Sequence, residues 1–530
     1  MNYRIKPLIF LILTPMRNFF KSASFLAVAG LVAKALGAIY KIPLVTVLGA
    51  EGAGIYQLVF PIYTTLLTIS SGGIPQAVSR QTARALAGGN VAESRKVLAV
   101  SLVFLSIVGL VGSALMAGMS GLLASLQGNS TATTAYLALS PSVFLVCVLS
   151  AFRGWWQGMH DMFPTALSQL MEQIIKLVVG LFLAYKLLPY GLSYGVAGAT
   201  LGISVSEFFA LISVLIYSLL KRKKPILTNN FVTEELRSKG LIKELLKSAL
   251  PISFGSLVLP LTQLIDSVLV VNILTAKGFS ITDATSLYGL SGAPVSAIIN
   301  LFPVVISAIG ASLMPKFSAQ LKKGEDTSSS IAYGMKCAHF VGIGGATFIL
   351  LFAERLLSLL YSGGLSPAQI SLSATLLRLS AIGVIYVCYI QIVSTYLQAQ
   401  GKAHVPALNL LVGGILKAVL TILLLITVGI EGVAISATCS YAVIFALDFA
   451  YVYKDFSLIR YKPLLVTLAV SVFATGLSRM TFALPFSYNA VTFIAVIIFV
   501  IAYIFPLAIF GVFPLNLNRY PKKNKINTLH

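Results

Sequence analysis

The sequence predicts an all-α integral membrane protein of about 14 transmembrane helices, built as two parallel six-helix lobes plus two C-terminal helices. Three observations predict this fold. Hydrophobic residues make up 57% of the 530 residues and charged residues only 10%, whereas soluble domains carry about 25% charged residues. Apolar runs of about 20 residues, the length that crosses a bilayer, recur along the whole chain. Part of the first half is repeated in the second half.

The apolar runs are bounded by charges or by Gly, Pro and Asn. The second and eighth runs are rich in Gly, Pro and Ser. The approximate limits of the fourteen predicted spans are 24–48, 55–80, 96–118, 134–154, 163–187, 194–220, 248–274, 286–314, 330–353, 370–397, 405–429, 432–453, 462–481 and 489–513.

The distribution of basic residues supports this count. With the N-terminus in the cytoplasm, the Lys and Arg residues cluster in the inner segments, as the positive-inside rule requires. The outer loops hold only Lys186, Lys277, Arg355 and Arg479. We therefore expect both termini in the cytoplasm. The net charge of +22 reflects these loops, and no basic stripe on a soluble fold indicates nucleic-acid binding.

The remaining polar chemistry is sparse. The four cysteines show no CxxC spacing and the four histidines form no cluster, so we expect no disulfide framework, metal site or cofactor. No motif typical of an enzyme is present. The apolar stretch before Met16 is too short to span a bilayer, and Met16 is a candidate start of translation.

Composition divides the chain at its polar stretches. We expect an N-terminal extension, a first lobe, a basic cytoplasmic linker, a second lobe, a final helix pair and a basic tail, over residues 1–22, 23–220, 221–247, 248–453, 454–513 and 514–530. The second part of the linker has the period of an amphipathic helix that lies on the membrane surface. A solvated linker containing one helix explains it equally well.

The repeat lies across this linker. The stretch "WWQGMHDMFPTALSQLMEQIIKLVV" from Trp155 corresponds to "YLQAQGKAHVPALNLLVGGILKAVL" from Tyr396, and Lys176 pairs with Lys417 at an offset of 241 residues. A weaker similarity between the two copies aligns Lys41 with Asp266. Because six spans separate the copies, both have the same orientation, and parallel repeats of this kind build transport sites at their interface.

The opening stretch "GLVAKALGAIYKIPLVTVLGAEGAGIYQLVFPIY", followed by "SSGGIPQAVSR", resembles the flippases of the MATE-like (MOP) superfamily. Within that superfamily, the chain is most similar to the SpoVB and MurJ-type group. The resemblance runs from about residue 21 to the end of the fourteenth span. It implies a multi-pass protein of the bacterial cytoplasmic membrane that moves lipid-linked sugars.

Lys34 and Lys41 lie within the first span, seven residues apart and therefore on one face of the helix. A charge at this depth costs a few kcal/mol, so it needs a lipid phosphate, a carboxylate or a wet cavity. Snorkelling to an interface is the alternative, and Lys34 has the harder path. The resemblance implies a cavity cation at Lys34. The next basic position of the family falls near Tyr40, one residue before Lys41.

Glu172 and Lys176 form an i,i+4 pair that can neutralise itself within one helix. Lys417 has no such acid, because Gly413 stands where the repeat places Glu172. Lys417 is therefore predicted to face a cavity or to pair between helices.

Three further acids fall within predicted spans: Asp266, Glu207 and Asp448. Asp266 is a candidate partner of Lys41 or a site for a coupling cation, Na⁺ or H⁺. Glu207 and Asp448 are candidates for ion coupling, and structural hydrogen bonding explains them equally well.

Gly and Pro interrupt several spans. Broken helices are typical where alternating access needs bending, although membrane helices also tolerate these residues without a functional reason. The predicted breaks and gating positions are Pro61, Gly72, Gly73, Pro75, Pro294 and Pro303.

Lysines in a wet cavity suit an anionic head group, because a lipid diphosphate is strongly attracted at low dielectric. The sequence therefore predicts a monomeric flippase, not an enzyme, that moves an undecaprenyl-diphosphate-linked oligosaccharide by alternating access. The resemblance implies lipid II or a related wall, spore-cortex or polysaccharide precursor. Two alternatives remain: a cation-coupled multidrug exporter, which would favour cavity acids, and a membrane scaffold for wall synthesis, which would tolerate loss of the buried charges.

Overall fold

The structure is a computed structural model that describes residues 5–71, 73–221, 235–456 and 462–510. All the regular elements in these ranges are helices. The chain divides into two compact units, Met1–Val271 and Asn272–His530. The expected multi-pass, all-α membrane fold is confirmed.

The first unit contains eight complete α-helices and most of a ninth. A short π-helix, Lys176–Gly180, joins α6 to α7. The helices are α1 (Ile5–Ser71), α2 (Ile74–Ala87), α3 (Val91–Gly118), α4 (Ser120–Leu126), α5 (Thr133–Gly158), α6 (Phe163–Ile175), α7 (Leu181–Leu187), α8 (Leu192–Leu220) and α9 (Glu235–Ala276).

The second unit contains the remaining helices and has no other long element in the described part of the chain. They are α10 (Ile281–Ile299), α11 (Leu301–Lys322), α12 (Ser328–Tyr361), α13 (Pro367–Ala399), α14 (His404–Thr427), α15 (Glu431–Phe456), α16 (Lys462–Met480) and α17 (Tyr488–Ile509).

Twelve helical stretches of the described chain are long and apolar enough to cross a membrane, against the fourteen spans predicted. The first two predicted spans fall largely within one candidate stretch, Val28–Ala87, which runs through α1 and α2. In the region of the seventh, the described residues contain a shorter apolar helical segment, Pro260–Ala276. The number fourteen stays a prediction.

Glycines set the shape of the first stretch. Gly49 leaves helical geometry with a φ of 68°, a backbone conformation that glycine adopts at little cost. Pro61 is buried, and its carbonyl accepts hydrogen bonds from Thr64 and Thr65. Gly73 then caps α2, which carries Pro75 in its first turn. Gly72 lies outside the described residues.

Helix α9 packs against α2 and α3 through Leu241, Leu245 and Ala249. Leu245 is buried, and Leu241 packs beside it against a cluster that includes Ile74 and Val78. The Gly73 amide donates to Ser253 Oγ across 2.9 Å. The described part of the linker therefore buries its apolar face against protein.

The eighth predicted span is divided between two helices. Helix α10 contains the buried Pro294 and ends at Asn300. Helix α11 begins at Leu301 with Pro303 in its first turn, where proline is well tolerated because the first amides of a helix need no internal acceptor.

The last two helices, α16 and α17, pack against α12 through an aromatic cluster centred on Phe352 and Phe499. The Arg355 guanidinium lies 3.8 Å from the ring centre of Phe482 and 4.6 Å from that of Tyr488. These cation–π contacts fix the loop between the two helices to the end of α12.

Candidate functional site in the first unit

Charged side chains from four helices of the first unit meet in one region of that unit. Helix α6 crosses α1 at positions where α1 carries glycine, and a Cβ added to Gly37 would lie 3.1 Å from Gln173 Oε1. Helix α8 crosses the π-helix at Gly202, where a Cβ would lie 2.2 Å from the Gly180 Cα. These small residues let three helices approach closely enough to bring their polar side chains together.

Arg153 of α5 forms a salt bridge with Glu172 of α6, at 3.2 Å between Nη2 and Oε2. Arg153 Nε also donates to Ser168 Oγ across 2.9 Å. The other carboxylate oxygen, Oε1, accepts from Gln173 Nε2 at 3.0 Å. The salt bridge of Glu172 runs between helices, and Lys176, four residues further along, also interacts electrostatically with this carboxylate. The neutralisation of Lys176 by Glu172 within one helix stays a prediction.

Lys176 begins the π-helix, near the middle of the 28-residue stretch Phe163–Tyr190. A π-helix turns a side chain away from the position that a regular helix would give it, and such segments are frequent at functional sites. Lys176 Nζ lies 5.5 Å from the ring centre of Tyr40. Lys41, half-buried on α1, is close enough to Lys176 for their charges to repel.

Glu207 of α8 is buried, with 3% of its surface exposed. Its carboxyl faces Glu172 and interacts with Arg153 and Lys176 as well. The structure therefore brings Lys41, Glu172 and Lys176 together with Glu207 in one region of the first unit.

Two other predicted residues of this unit lie elsewhere. Lys34 is exposed, two turns before Lys41 on α1. Asp266 is buried on α9, with 9% exposure. The pairing of Asp266 with Lys41 stays a prediction.

Several buried oxygens of this region meet no hydrogen-bond partner among the described residues. Glu207 Oε2 is one, and the Tyr40 hydroxyl is another. The side-chain carbonyls of Gln169 and Gln173 are two more, one turn apart on α6. A buried polar atom without a partner costs about 1–3 kcal/mol, so the region is suited to receiving donors from a ligand or a proton.

The repeat partners in the second unit lie in a different environment. Lys417 is half-buried on α14. A Cβ added to Gly413 would lie 2.2 Å from Ile444 Cγ1, and the Gly413 carbonyl accepts from Ser440 Oγ at 2.6 Å. The close packing of α14 against α15 thus explains why the second copy has no acid where the first has Glu172.

Asp448 is fully buried in the second unit. Asn409 Nδ2 donates to its Oδ1 across 2.8 Å, and Ser394 Oγ donates to its Oδ2 across 3.2 Å. These two bonds join three helices, α13, α14 and α15, so structural hydrogen bonding accounts for Asp448 in the second unit. A role for Asp448 in ion coupling stays a prediction.

The second unit also has an apolar groove of about 520 Å³ between α16 and α17. Both helices contribute large hydrophobic side chains to its wall. The lining includes Phe473, Leu477, Met480, Ile498, Ile501 and Phe505.

The sequence interpretation missed Arg153, Tyr40 and the two glutamines. Arg153 lies close to the cytoplasmic end of the predicted span 134–154, and its charge was explained there by the positive-inside rule. The spacing of Gln169 and Gln173 could have predicted this polar region, because two amides at i,i+4 in an apolar helix lie on one face.

The fold and the buried charges define a polytopic, all-helical membrane protein. The family described as "Polysaccharide biosynthesis protein" matches residues 19–320. The chain belongs to this family.

Curated relatives extend the similarity beyond that region. The chain is 24% identical over 463 residues to stage V sporulation protein B of Bacillus subtilis (strain 168), covering 86% of this chain and 88% of the relative. It is 24% identical over 427 residues to the lipid II flippase MurJ of the same organism, covering 77% and 78%.

Solved structures share the fold. The lipid II flippase MurJ in an inward closed conformation aligns with a TM-score of 0.67 and 15% identity, covering 93% of this chain and 98% of that chain. An inward-facing multidrug resistance MATE family transporter of the MOP superfamily aligns with a TM-score of 0.64 and 16% identity, covering 82% and 98%.

Proposed function

We propose that this protein is a flippase that moves an undecaprenyl-diphosphate-linked oligosaccharide from the inner to the outer leaflet of the bacterial cytoplasmic membrane. Lipid II, or a related precursor of wall, spore-cortex or other polysaccharide, is the proposed cargo. Transport proceeds by alternating access, with both termini in the cytoplasm. The protein acts as a monomer and carries out no covalent chemistry.

The observation that carries this proposal is a cluster of charged side chains in the first unit, which among the described residues holds three cations and two acids. Lys41 lies close to Lys176, and Lys176 and Arg153 lie close to the carboxyl groups of Glu172 and Glu207. Positive charge within a membrane is costly, and a ligand that brings negative charge lowers that cost. A diphosphate does so and suits a guanidinium through paired hydrogen bonds.

Lys34 extends the basic face of α1 by two turns and is exposed. An exposed lysine at this position would meet a phosphate before the more deeply placed Lys41 and Lys176 do. We assign it to the entry of the head group. Lys417 is the corresponding candidate in the second unit.

The groove between α16 and α17 suits the rest of the substrate. A polyprenyl tail is too long and apolar to enter a charged region, so it must stay in contact with lipid or with an apolar surface. The groove offers such a surface, because large hydrophobic side chains of α16 and α17 line it. The names of the relatives, a lipid II flippase and a sporulation protein, agree with this class of substrate.

The multidrug exporter is the second candidate, because a transporter of that kind shares the fold. A site for organic cations needs acids in excess. The charge cluster of the first unit instead holds more cations (Lys41, Lys176 and Arg153) than acids (Glu172 and Glu207) among the described residues. Coupling to Na⁺ or H⁺ remains compatible with either function.

Native mass spectrometry of the purified protein tests the proposal. Lipid II, undecaprenyl phosphate and a cationic dye are offered together to the wild type, to Lys34→Ala and to Lys323→Ala, a control in an exposed loop. We expect the wild type and the control to retain lipid II and Lys34→Ala to lose most of it. Retention of the dye alone would support the exporter, and retention of no ligand would support a scaffold.

A further inference from the structure

Glu207 is an acid whose environment does not suit a permanent negative charge. It is 3% exposed, near the middle of α8. Its Oε2 has no hydrogen-bond donor within 3.5 Å among the described residues. An ionised carboxylate inside a membrane normally pairs with a cation or accepts several hydrogen bonds.

The groups that face Glu207 come from every side on which α8 packs. Helix α6 presents Glu172, α5 presents Arg153, the π-helix presents Lys176 and α1 presents Tyr63. Arg153 is already bonded to Glu172, and Lys176 stands over the ring of an aromatic residue. Glu207 therefore faces a second carboxyl, and Arg153 and Lys176 offset part of the negative charge of the two groups.

Two carboxyl groups that face one another away from water cannot both stay ionised without a large cost unless a cation offsets one of the charges. In this site the cost depends on Arg153. While Arg153 is bonded to Glu172, it offsets one negative charge. If an anionic ligand takes Arg153 away, both carboxylates lose that compensation, and the pair binds a proton more strongly.

We propose that Glu207, which faces Glu172, is a proton-binding site, and that this site takes up a proton when an anionic lipid diphosphate binds Arg153. The second part rests on the function proposed above. The phosphate oxygens replace the Glu172 carboxylate on the guanidinium, and a proton from the aqueous phase binds Glu207, which leaves one negative charge on the two carboxyl groups. Release of the lipid restores the Arg153–Glu172 salt bridge and returns the proton.

The proton site itself is tested without any lipid substrate. Infrared difference spectra of the full chain in liposomes are recorded while the pH is changed. We expect a carboxylic-acid C=O band that titrates in the wild type, is lost in Glu207→Gln and changes in Glu172→Gln. Glu325→Gln, in an exposed loop, should leave it unchanged. The absence of a titrating band in the wild type, or its persistence in Glu207→Gln, would overturn the proposal.

The linkage is tested by calorimetry. Undecaprenyl diphosphate is titrated into the detergent-solubilised full chain in buffers with different heats of ionisation, which gives the number of protons taken up. Because the lipid can itself exchange protons, the difference between variants is the informative quantity. We expect the wild type to take up about one proton more than Glu207→Gln. Equal uptake by the two proteins would overturn the linkage.

Two further outcomes separate this inference from the proposed function. If undecaprenyl diphosphate does not bind the wild type, the flippase proposal and the linkage both fail, while the infrared titration still decides the proton site. If Glu207→Gln does not fold, Glu207→Asp serves instead, because it keeps a titrating group. Its carboxyl band should then titrate at a pH different from that of the wild type, and an unchanged band would contradict the assignment.

Discussion

Arg153 and Glu172 join α5 to α6 through a salt bridge of 3.2 Å, with the two side chains only 15% and 21% exposed. The bridge lies beside Glu207 and Lys176. It therefore holds a cation and an acid that either remain bound to each other or separate when a charged ligand arrives. In the proposed mechanism, a lipid diphosphate replaces Glu172 as the partner of Arg153.

Breaking one side of this bridge should destabilise the protein. Arg153→Met leaves the Glu172 carboxylate without its cation, and loss of one partner of a buried ion pair costs about 3–5 kcal/mol. We expect the same direction for Glu172→Met. The measurement is the free energy of unfolding in detergent micelles.

The double variant provides the control. Arg153→Met combined with Glu172→Met removes both charges, so it should be more stable than the less stable single variant. Additive losses in the double variant would show that the two residues do not act as a pair.

Lys176 should contribute directly to binding of an anionic head group. Lys176→Gln removes one charge from a site of low dielectric, so we expect the Kd for undecaprenyl diphosphate to rise about tenfold, equivalent to about 1.4 kcal/mol. Lys186→Gln is the matched control, because Lys186 is exposed on the neighbouring helix α7. An equal change in the two variants would point to a general effect of charge and not to a site at Lys176.

Gly413 should tolerate no side chain. Gly413→Ala places a Cβ against Ile444 in a close-packed crossing, and overpacking of this kind costs about 1–3 kcal/mol. Gly476→Ala is the control, because its Cβ would meet no atom within 4 Å. We expect the midpoint of thermal unfolding to fall for the first variant and to stay level or rise for the second. Equal midpoints would contradict the close contact between α14 and α15.

Gly73 should be required for α2 to pack on α9. A Cβ at this position would lie 2.2 Å from the carbonyl oxygen of Ala249, so Gly73→Ala must push the two helices apart and weaken the hydrogen bond to Ser253. Gly121→Ala, with open space around its Cβ, is the comparison. Hydrogen exchange of the α2 amides should be faster in Gly73→Ala and unchanged in Gly121→Ala. Unchanged exchange in both variants would contradict this packing.

The fold was predictable because hydropathy is a local property. Each span is recognisable as a run of about 20 apolar residues. The distribution of Lys and Arg then predicts which loops face the cytoplasm. The same reasoning gives no information about breaks such as Gly49, where one backbone angle changes direction within an apolar run.

The partners of the buried charges were not predictable from spacing. Glu172 and Lys176 have ideal i,i+4 spacing, yet Glu172 bonds to Arg153, which lies on another helix, and Lys176 starts a π-helix. Contacts between helices depend on where small residues allow close approach, and one sequence does not reveal which glycines face which helix. The sequence shows glycine, not an acid, four residues before Lys417, but it does not show the cause, which is the contact of Gly413 with Ile444.

The most direct test of the central claim is transport of lipid II by the purified protein in liposomes. The labelled lipid starts in the inner leaflet, and its arrival in the outer leaflet is followed with a quencher added outside. The wild type and Lys186→Gln should transport at similar initial rates, and the double variant Lys41→Gln, Lys176→Gln should be slower by about tenfold or more, equivalent to at least about 1.4 kcal/mol. Transport by the double variant at the wild-type rate, or no transport by the wild type, would contradict the account.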